Sequence, residues 1–381
     1  MRILFAVQLL AGMILVLLSP ALESVLRTLE VGERGGGTLY FAYFTGTVLS
    51  TLSLSWLTRL LSSRGILQLC CVLEAASLWG FSCSRTLFQA GVCYFLLGAM
   101  NAVLVALPGA ILAHQEGAKS GKAITLLYTF FAVGVMLCPS GAGMMLARGI
   151  PWQWLYQGMA GLCLLYAFWS FGFRLPTLEG SSELTWGSLR EAGIGDRGLL
   201  AGTLILTLLY VGAETSVIGW AVYYLQQVFP GETDVFRASR VLSFFWLAVI
   251  CGRLLTALIL DRLGSYRTLS FLIAGGAAVW SCALAARGLV ASEFLFALTG
   301  FFFSGIFPIV TSYAGRFPRR YTSLVFSVIV AAGGVGGGVV PYLVGAVAEC
   351  RGIRVALAGS VSCLVLMLIT LCWLKSRGAR V

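Results

Sequence analysis

Four ionisable side chains lie inside long apolar stretches of this sequence: Glu23, Glu74, Glu214 and Arg253. On membrane-insertion scales, a charge at the centre of a bilayer costs about 2.5–3.5 kcal/mol, so each group needs a partner or a role. A carboxyl in such a place can bind and release a proton, and a guanidinium can pair with it. These residue types predict proton transfer or ion pairing inside a membrane.

Polar and aromatic side chains recur at helical spacing in the same stretches. A polar face on a membrane helix must point to protein or water, so several such faces predict a hydrated central cavity. The alternative is that small and hydroxyl side chains only pack helices together. The candidate solute-binding or proton-coupling residues are Glu23, Glu214, Asn101, Tyr210, Trp220, Tyr223, Gln227 and Ser304.

Aromatic rings beside carboxylates and amides are typical of sugar sites, because a ring stacks on the apolar face of a pyranose while polar groups bind its hydroxyls. Trp and Tyr also anchor helices at the membrane interface, as we expect for Trp152, Trp154 and Trp373. The role of Glu74 stays open. It can relay protons, pair with a basic residue such as Arg253, or lie near a hydrated helix end.

The elements that carry these residues are apolar stretches of roughly 20 residues, the length that crosses a bilayer as a helix. Hydrophobic residues make up 59% of the chain and charged residues 11%, whereas a soluble domain carries about 25% charged residues. We predict an all-α membrane protein with twelve transmembrane helices in two six-helix pseudo-symmetric bundles. The predicted spans are 3–25, 38–58, 66–83, 88–113, 122–147, 151–173, 199–228, 238–259, 267–287, 291–314, 323–347 and 353–374.

The two halves resemble a repeat. Gly98 and Pro139 are separated by the same number of residues as Gly300 and Pro341. Internal repeats are typical of secondary transporters, in which the solute site lies between the halves. The predicted domains are an N-terminal bundle over 1–173, a cytoplasmic linker over 174–198 and a C-terminal bundle over 199–381.

The net charge of +11 follows the topology rather than a nucleic-acid surface. Lys and Arg are concentrated in the loops on one side, which the positive-inside rule assigns to the cytoplasm together with both termini. We therefore predict an integral protein of the plasma membrane that contacts lipid and binds no nucleic acid. The apolar N-terminal run resembles a signal peptide, but its length and Pro20 favour its retention as the first span.

No cofactor, metal site or enzymatic activity is predicted. The chain has 11 cysteines and one histidine, without a CxxC pair, an HExxH sequence or a GxSxG sequence. The glycine run from Gly333 to Gly338 lies inside an apolar span and lacks the context of a phosphate-binding loop. Transport energy is therefore expected from a gradient or from the solute itself.

The run from Ala257 to Arg267 resembles the cytoplasmic loop signature of the major facilitator superfamily, GxLxDRxGRxxxL. Asp261, Arg262 and Gly264 match this signature, and Ala257 replaces its first glycine. In that family the loop helps to control switching between conformations. The resemblance thus implies a gating or conformational role for Arg253, Asp261, Arg262, Gly264 and Arg267.

The second half also resembles the fucose and glucose/galactose proton symporters, through the segment 209–216, Gly252-Arg253, and Pro308 in span ten. That resemblance implies alternating access and proton-coupled uptake of a hexose-like sugar. The span-one acid of such symporters corresponds to Glu23. Their span-four acid is missing near Val103, and Glu214 can take over part of its role.

A rival prediction comes from the segment 134–143, which partly resembles the span-five signature of drug/proton antiporters, GxxxGPxxGG. The main prediction is a monomeric secondary transporter for a small polar solute coupled to protons. The alternative is a proton-coupled antiporter that exports drugs or metabolites.

Overall fold

A computed structural model describes residues 2–116, 120–173, 175, 197–318 and 322–377. All regular structure in these ranges is helical, as the apolar stretches predict. The α-helices are α1 Arg2–Val16, α2 Leu18–Leu29, α3 Glu33–Leu60, α4 Ser63–Ser82, α5 Leu87–Glu116, α6 Ser120–Ala147, α7 Trp152–Trp169, α8 Arg197–Val228, α9 Val235–Ala285, α10 Leu289–Phe303, α11 Ile306–Ser312, α12 Thr322–Arg351 and α13 Ile353–Ser376. Short 3₁₀ turns follow at Ser170–Gly172 and Tyr313–Arg316.

Helices cover each of the predicted spans. In the described part of the chain, nine segments are long and apolar enough to cross a membrane, with α9 counted as two of them and α10 with α11 as one. The bent pair α1 and α2 adds a tenth. The remaining two, α3 and α7, have 28 and 18 residues but do not pass the same hydropathy test. Hydroxyl groups and glycines in α3, and tryptophans and glutamines in α7, lower the apolar character of these helices.

The chain divides into two compact units. The first contains Met1–Glu183 with Val235–Ser243, and the second contains Leu184–Asp234 with Phe244–Val381. In the first unit α1 packs along α6 and α3 along α5, while α4 contacts α5 and α7. In the second unit α8 packs along α12 and α13. The domain limits read from the sequence stay a prediction, and nearly all of the predicted linker 174–198 lies outside the described residues.

The first predicted span is two helices rather than one. Its parts, α1 and α2, meet at an angle of 45°. Pro20 is the third residue of α2, where it removes the hydrogen bond to the carbonyl of Val16 and clashes with it, which bends the helix. The second part continues to Leu29, four residues beyond the predicted end of the span at 25.

The tenth span is also divided. Here α10 ends at Phe303, Ser304 and Gly305 form a turn, and α11 begins at Ile306. Pro308 is again the third residue of the second helix, so the carbonyl of Ser304 has no N–H partner one turn later. We call α10, Ser304, Gly305 and α11 the broken span. Pro108, which the repeat pairs with Pro308, lies inside the continuous helix α5.

The glycines of the repeat occupy matching places in the two units. A Cβ added to Gly98 would overlap with the carbonyl of Tyr43, and a Cβ added to Gly300 would overlap with the carbonyl of Phe245. The sequence offset from Gly98 to Gly300 equals that from Tyr43 to Phe245. In both units, the fourth span thus lies against the backbone of the second span, at a distance that only glycine allows.

Replacing Gly98 by Ala should destabilise the protein by about 1–3 kcal/mol, because the added methyl group overlaps with backbone rather than with a movable side chain. The measurement is the thermal unfolding midpoint of purified protein in detergent. Gly91→Ala is the matched control on the same helix, since a Cβ at Gly91 meets nothing within 4 Å. If Gly98→Ala unfolded at the same temperature as Gly91→Ala, the close approach of α3 and α5 would be wrong.

Candidate functional site

The predicted pair Tyr210 and Glu214 lies one helical turn apart on α8 and faces the broken span. The Tyr210 hydroxyl is 2.8 Å from Glu214 Oε1 and 2.8 Å from the backbone carbonyl oxygen of Phe303. Tyr210 is buried and Glu214 is partly exposed. The sequence predicted both residues, but it did not predict that their partner is a backbone carbonyl at the end of α10.

The hydroxyl of Tyr210 has one hydrogen and two acceptors. When Glu214 is a carboxylate, the carboxylate and the Phe303 carbonyl compete for this hydrogen. When Glu214 is protonated, its O–H can donate to the Tyr210 oxygen, and Tyr210 then donates to Phe303 without competition. The geometry therefore connects the protonation state of Glu214 to the backbone at the break.

Arg253 reaches the same break from α9. Its Nε donates to the carbonyl oxygen of Ser304 at 3.4 Å, which is the carbonyl that Pro308 leaves without a helical partner. The Arg253 guanidinium acts electrostatically on both Tyr210 and Glu214. The carbonyls of Phe303 and Ser304 thus accept from Tyr210 and Arg253, and Glu214 joins them through Tyr210.

The other predicted residues of the second unit differ in exposure. Ser304 is buried and its hydroxyl donates to the Phe301 carbonyl at 2.7 Å. Trp220 and Tyr223 are buried and pack edge to face with ring centroids 5.6 Å apart. Gln227 is exposed near the end of α8. The structure therefore gathers Tyr210, Glu214, Arg253 and Ser304 at the break, and it places the remaining three further along α8.

Trp246 is a functional candidate that was not among the residues predicted from the sequence. It is 5% exposed, and within the part of the chain that the structure describes its indole N–H has no hydrogen-bond partner. A buried donor without a partner costs about 1–3 kcal/mol, so it is a good donor to a solute or a water molecule. The available signal was its position two turns before Arg253, on the same face of α9.

In the first unit, the polar centre is Glu74, whose role the sequence left open. Glu74 is 1% exposed. Asn101 Nδ2 donates to its Oε1 at 3.0 Å, and Cys163 Sγ lies 3.8 Å from its Oε2. The same Asn101 donates to the Ala11 carbonyl at 3.2 Å and accepts from the Tyr43 hydroxyl at 3.0 Å. We call these five residues the Glu74 network; its burial contradicts a hydrated position near a helix end.

The network changes the interpretation of Asn101, which the sequence offered as a solute ligand. Both N–H groups of its amide and its oxygen already have partners inside the first unit. Asn101 therefore positions Glu74 in this conformation. Gln8 of the first span reaches the Val105 carbonyl of α5 at 2.8 Å, and it is the repeat equivalent of Tyr210, which reaches the Phe303 carbonyl.

Glu23 lies apart from both of these groups of residues. It is on α2, beyond the bend, with a side chain 20% exposed and an ion pair of 2.5 Å to Arg27. The Arg27 side chain is 79% exposed. Exposed ion pairs contribute roughly 0–1 kcal/mol, so this pairing adds little to the stability of the protein.

The loop signature lies within α9, where the two halves of this long helix meet. Gly264 has φ 75° and ψ 165°, a conformation that is essentially limited to glycine. Arg262 and Arg267 on either side of it are exposed. The side chain of Asp261 lies outside the described residues. Glycine is therefore required by the backbone conformation at position 264, where span eight ends and span nine begins.

Comparison with known proteins identifies the family of this chain. The model of the Major Facilitator Superfamily matches residues 4–341. The chain belongs to the major facilitator superfamily. Among curated proteins, Protein TsgA of Salmonella gallinarum is 26% identical over 320 residues, which cover 82% of this chain and 78% of that protein.

Solved structures support the same fold. A mutant form of the nucleoside transporter NupG superposes with a TM-score of 0.83 at 14% identity, covering 97% of this chain and 98% of that one. The E. coli fucose:proton symporter FucP gives a TM-score of 0.66 at 18% identity, covering 98% and 97%. These findings confirm the predicted all-α membrane fold, the resemblance to this superfamily and the prediction of a transporter rather than an enzyme.

Replacing Tyr210 by Phe should lower stability by about 1–3 kcal/mol, because the Phe303 carbonyl loses its donor while the ring stays in place. The readout is again the thermal unfolding midpoint. Tyr224→Phe is the matched control on α8, since among the described residues the Tyr224 hydroxyl makes one long bond of 3.4 Å, to the Ala283 carbonyl. Equal midpoints for the two variants would contradict the bridging role of Tyr210.

Proposed function

We propose that this protein is a proton-coupled symporter that takes up a small polar solute, such as a hexose-like sugar, by alternating access. It acts as a monomer in the plasma membrane, with both termini in the cytoplasm. The observation that carries the proposal is the hydrogen-bond chain from Glu214 through Tyr210 to the Phe303 carbonyl. It connects a group that can bind a proton to a break in a membrane-spanning helix.

Broken helices supply ion and solute sites in secondary transporters, because their freed backbone groups point into the protein at membrane depth. In this chain the freed carbonyl of Ser304 binds Arg253 and that of Phe303 binds Tyr210. Protonation of Glu214 removes a negative charge and leaves the Tyr210 hydrogen on the Phe303 carbonyl. The loaded carrier then carries less charge through the membrane when it reorients.

The solute is proposed to meet polar groups of the second unit that remain available. These are the partly exposed carboxyl of Glu214, the exposed amide of Gln227 and the indole N–H of Trp246. Donors and acceptors of this kind suit ring hydroxyls, which the sugar fucose and the ribose of a nucleoside both have. The structural likeness to FucP and NupG supports this class of solute.

The remaining predicted residues keep their proposed roles. Glu23, whose side chain is partly exposed, is proposed as an accessible proton-binding group. Arg262, Gly264 and Arg267, together with Asp261, are proposed to control the change between conformations. Trp220 and Tyr223 are buried here, so a stacking role for their rings requires rearrangement of α8.

Glu214→Gln should abolish accumulation of solute driven by a pH gradient but spare exchange of labelled for unlabelled solute, because the amide cannot carry a proton. The measurement is uptake of a radiolabelled hexose panel into proteoliposomes with and without an inward proton gradient. Glu349→Gln, which changes an exposed carboxyl, is the control. Glu23→Gln is tested in parallel.

Uptake by the wild type that is equal with and without the gradient would remove the coupling. Normal accumulation in both Glu214→Gln and Glu23→Gln would show that the assigned acids are wrong. If expression instead gave resistance to drugs and the gradient drove export, the antiporter prediction would replace this one.

Trp246→Phe should weaken solute affinity about tenfold, the effect of losing one hydrogen bond of about 1.4 kcal/mol. A thermal-shift screen against hexoses, nucleosides, amino acids and drugs first identifies a solute that raises the unfolding temperature by mass action. The dissociation constant of that solute is then measured for the wild type, for Trp246→Phe and for Trp154→Phe, whose ring is exposed. Equal affinity in all three proteins would exclude Trp246 from the solute site.

A further inference from the structure

Glu74 is the one acidic side chain among the described residues that is buried, and the proposed mechanism does not use it. The hydrogen bonds around its carboxyl join residues from five helices. The Glu74 network takes Ala11 from α1, Tyr43 from α3, Glu74 from α4, Asn101 from α5 and Cys163 from α7. A change of charge at this carboxyl therefore acts directly on its contacts with α5 and α7, and through Asn101 on the contacts with α1 and α3.

The groups that surround Glu74 are neutral. The described titratable groups that act on it are Tyr43 from α3, Cys70 and Cys71 on its own helix, and Cys163 from α7. Its hydrogen-bond donors are the Asn101 amide and the Cys163 thiol. No ammonium or guanidinium group of the described residues is among them. A buried carboxylate without a cation costs several kcal/mol, and binding a proton removes that cost.

The contacts of Glu74 can satisfy both protonation states. Oε1 accepts from Asn101 in either state. Oε2 lies beside Cys163 Sγ, which is both a weak donor and a weak acceptor. With the carboxylate, the thiol S–H points to Oε2; when a proton forms an O–H bond on Oε2, that O–H can point to the sulfur, and the S–H turns away. The proton comes from water, and no electrons move.

We propose that Glu74 is a buried proton-binding group of this transporter, located in the first unit and separate from both Glu214 and Glu23. The inference rests on the proposed function for its transport consequence, but proton binding itself is tested without any solute. Asn101 and Cys163 act as positioning residues, because they hold the carboxyl in both states. A carrier with this additional group would move one more proton with each solute.

The test is infrared difference spectroscopy of the purified full-length protein between acidic and alkaline buffer, in which a protonated carboxyl shows a C=O stretching band. Glu74→Gln should remove one band from a buried acid and leave that of Glu214, whereas Glu214→Gln should do the reverse. Glu349→Gln is the control, since an exposed carboxyl gives no buried-acid band. The glutamine at position 74 keeps an acceptor for Asn101, which favours folding of the variant.

A second variant keeps the proposal testable if Glu74→Gln does not fold. Cys163→Val retains Glu74 but removes the partner of Oε2, so the Glu74 band should move to higher frequency as its hydrogen bond is lost. A merely structural contact would leave the band in place. A difference spectrum that is unchanged in both variants would overturn the proposal.

A measurement of transport then distinguishes a failure of this inference from a failure of the proposed function. In proteoliposomes with a hexose that the wild type transports, the ratio of protons to hexose should fall by one proton for each hexose in Glu74→Gln. An unchanged ratio, with proton movement intact, would overturn the role of Glu74 alone. An absence of hexose-driven proton movement in the wild type would defeat the symport proposal, while the infrared bands would still decide whether Glu74 binds a proton.

Discussion

A peptide carbonyl that loses its helical partner at membrane depth must find another donor, and this constraint explains where the polar side chains of the second unit lie. The break at Ser304 and Gly305 frees two carbonyls, and donors from two other helices meet them. Tyr210 reaches Phe303 and Arg253 reaches Ser304. Tyr210, which donates to the unpaired carbonyl, also contacts Glu214, so the Glu214 carboxyl lies next to the break.

The same constraint acts differently in the first unit. There, α5 continues through Pro108, and the fourth span has no turn for side chains to repair. The polar groups instead converge on a carboxyl, Glu74, that enters from α4. Gln8, at the repeat position of Tyr210, still reaches a carbonyl of the fourth span. The two units thus share a contact between their first and fourth spans but place their acids on different helices.

Much of the fold could be predicted from the sequence, because length and apolar composition determine which segments can cross a membrane. The glycine spacing also predicted real close approaches, since Gly98 and Gly300 both lie against a carbonyl of the second span. The breaks could not be predicted in this way. Pro108 and Pro308 have similar sequence positions, yet only the second follows a turn, and that difference is set by packing against neighbouring helices.

The candidate site was predicted in part for a similar reason. Tyr210 and Glu214 are one turn apart on one helix, so their contact follows from helical periodicity. The other members of the Glu74 network come from four other helices that are distant in the sequence, and no local pattern reveals them. Trp246 was visible as an aromatic residue, but only tertiary packing shows that its indole N–H is left without a partner in the described residues.

The prolines that divide two of the spans have a consequence for the repeat. Each is the third residue of a second helix, but Pro20 interrupts the first span of its bundle and Pro308 interrupts the fourth. The two six-helix bundles are therefore divided by proline at spans that do not correspond to each other. Each bundle thus has a divided span where the corresponding span of the other bundle is one continuous helix.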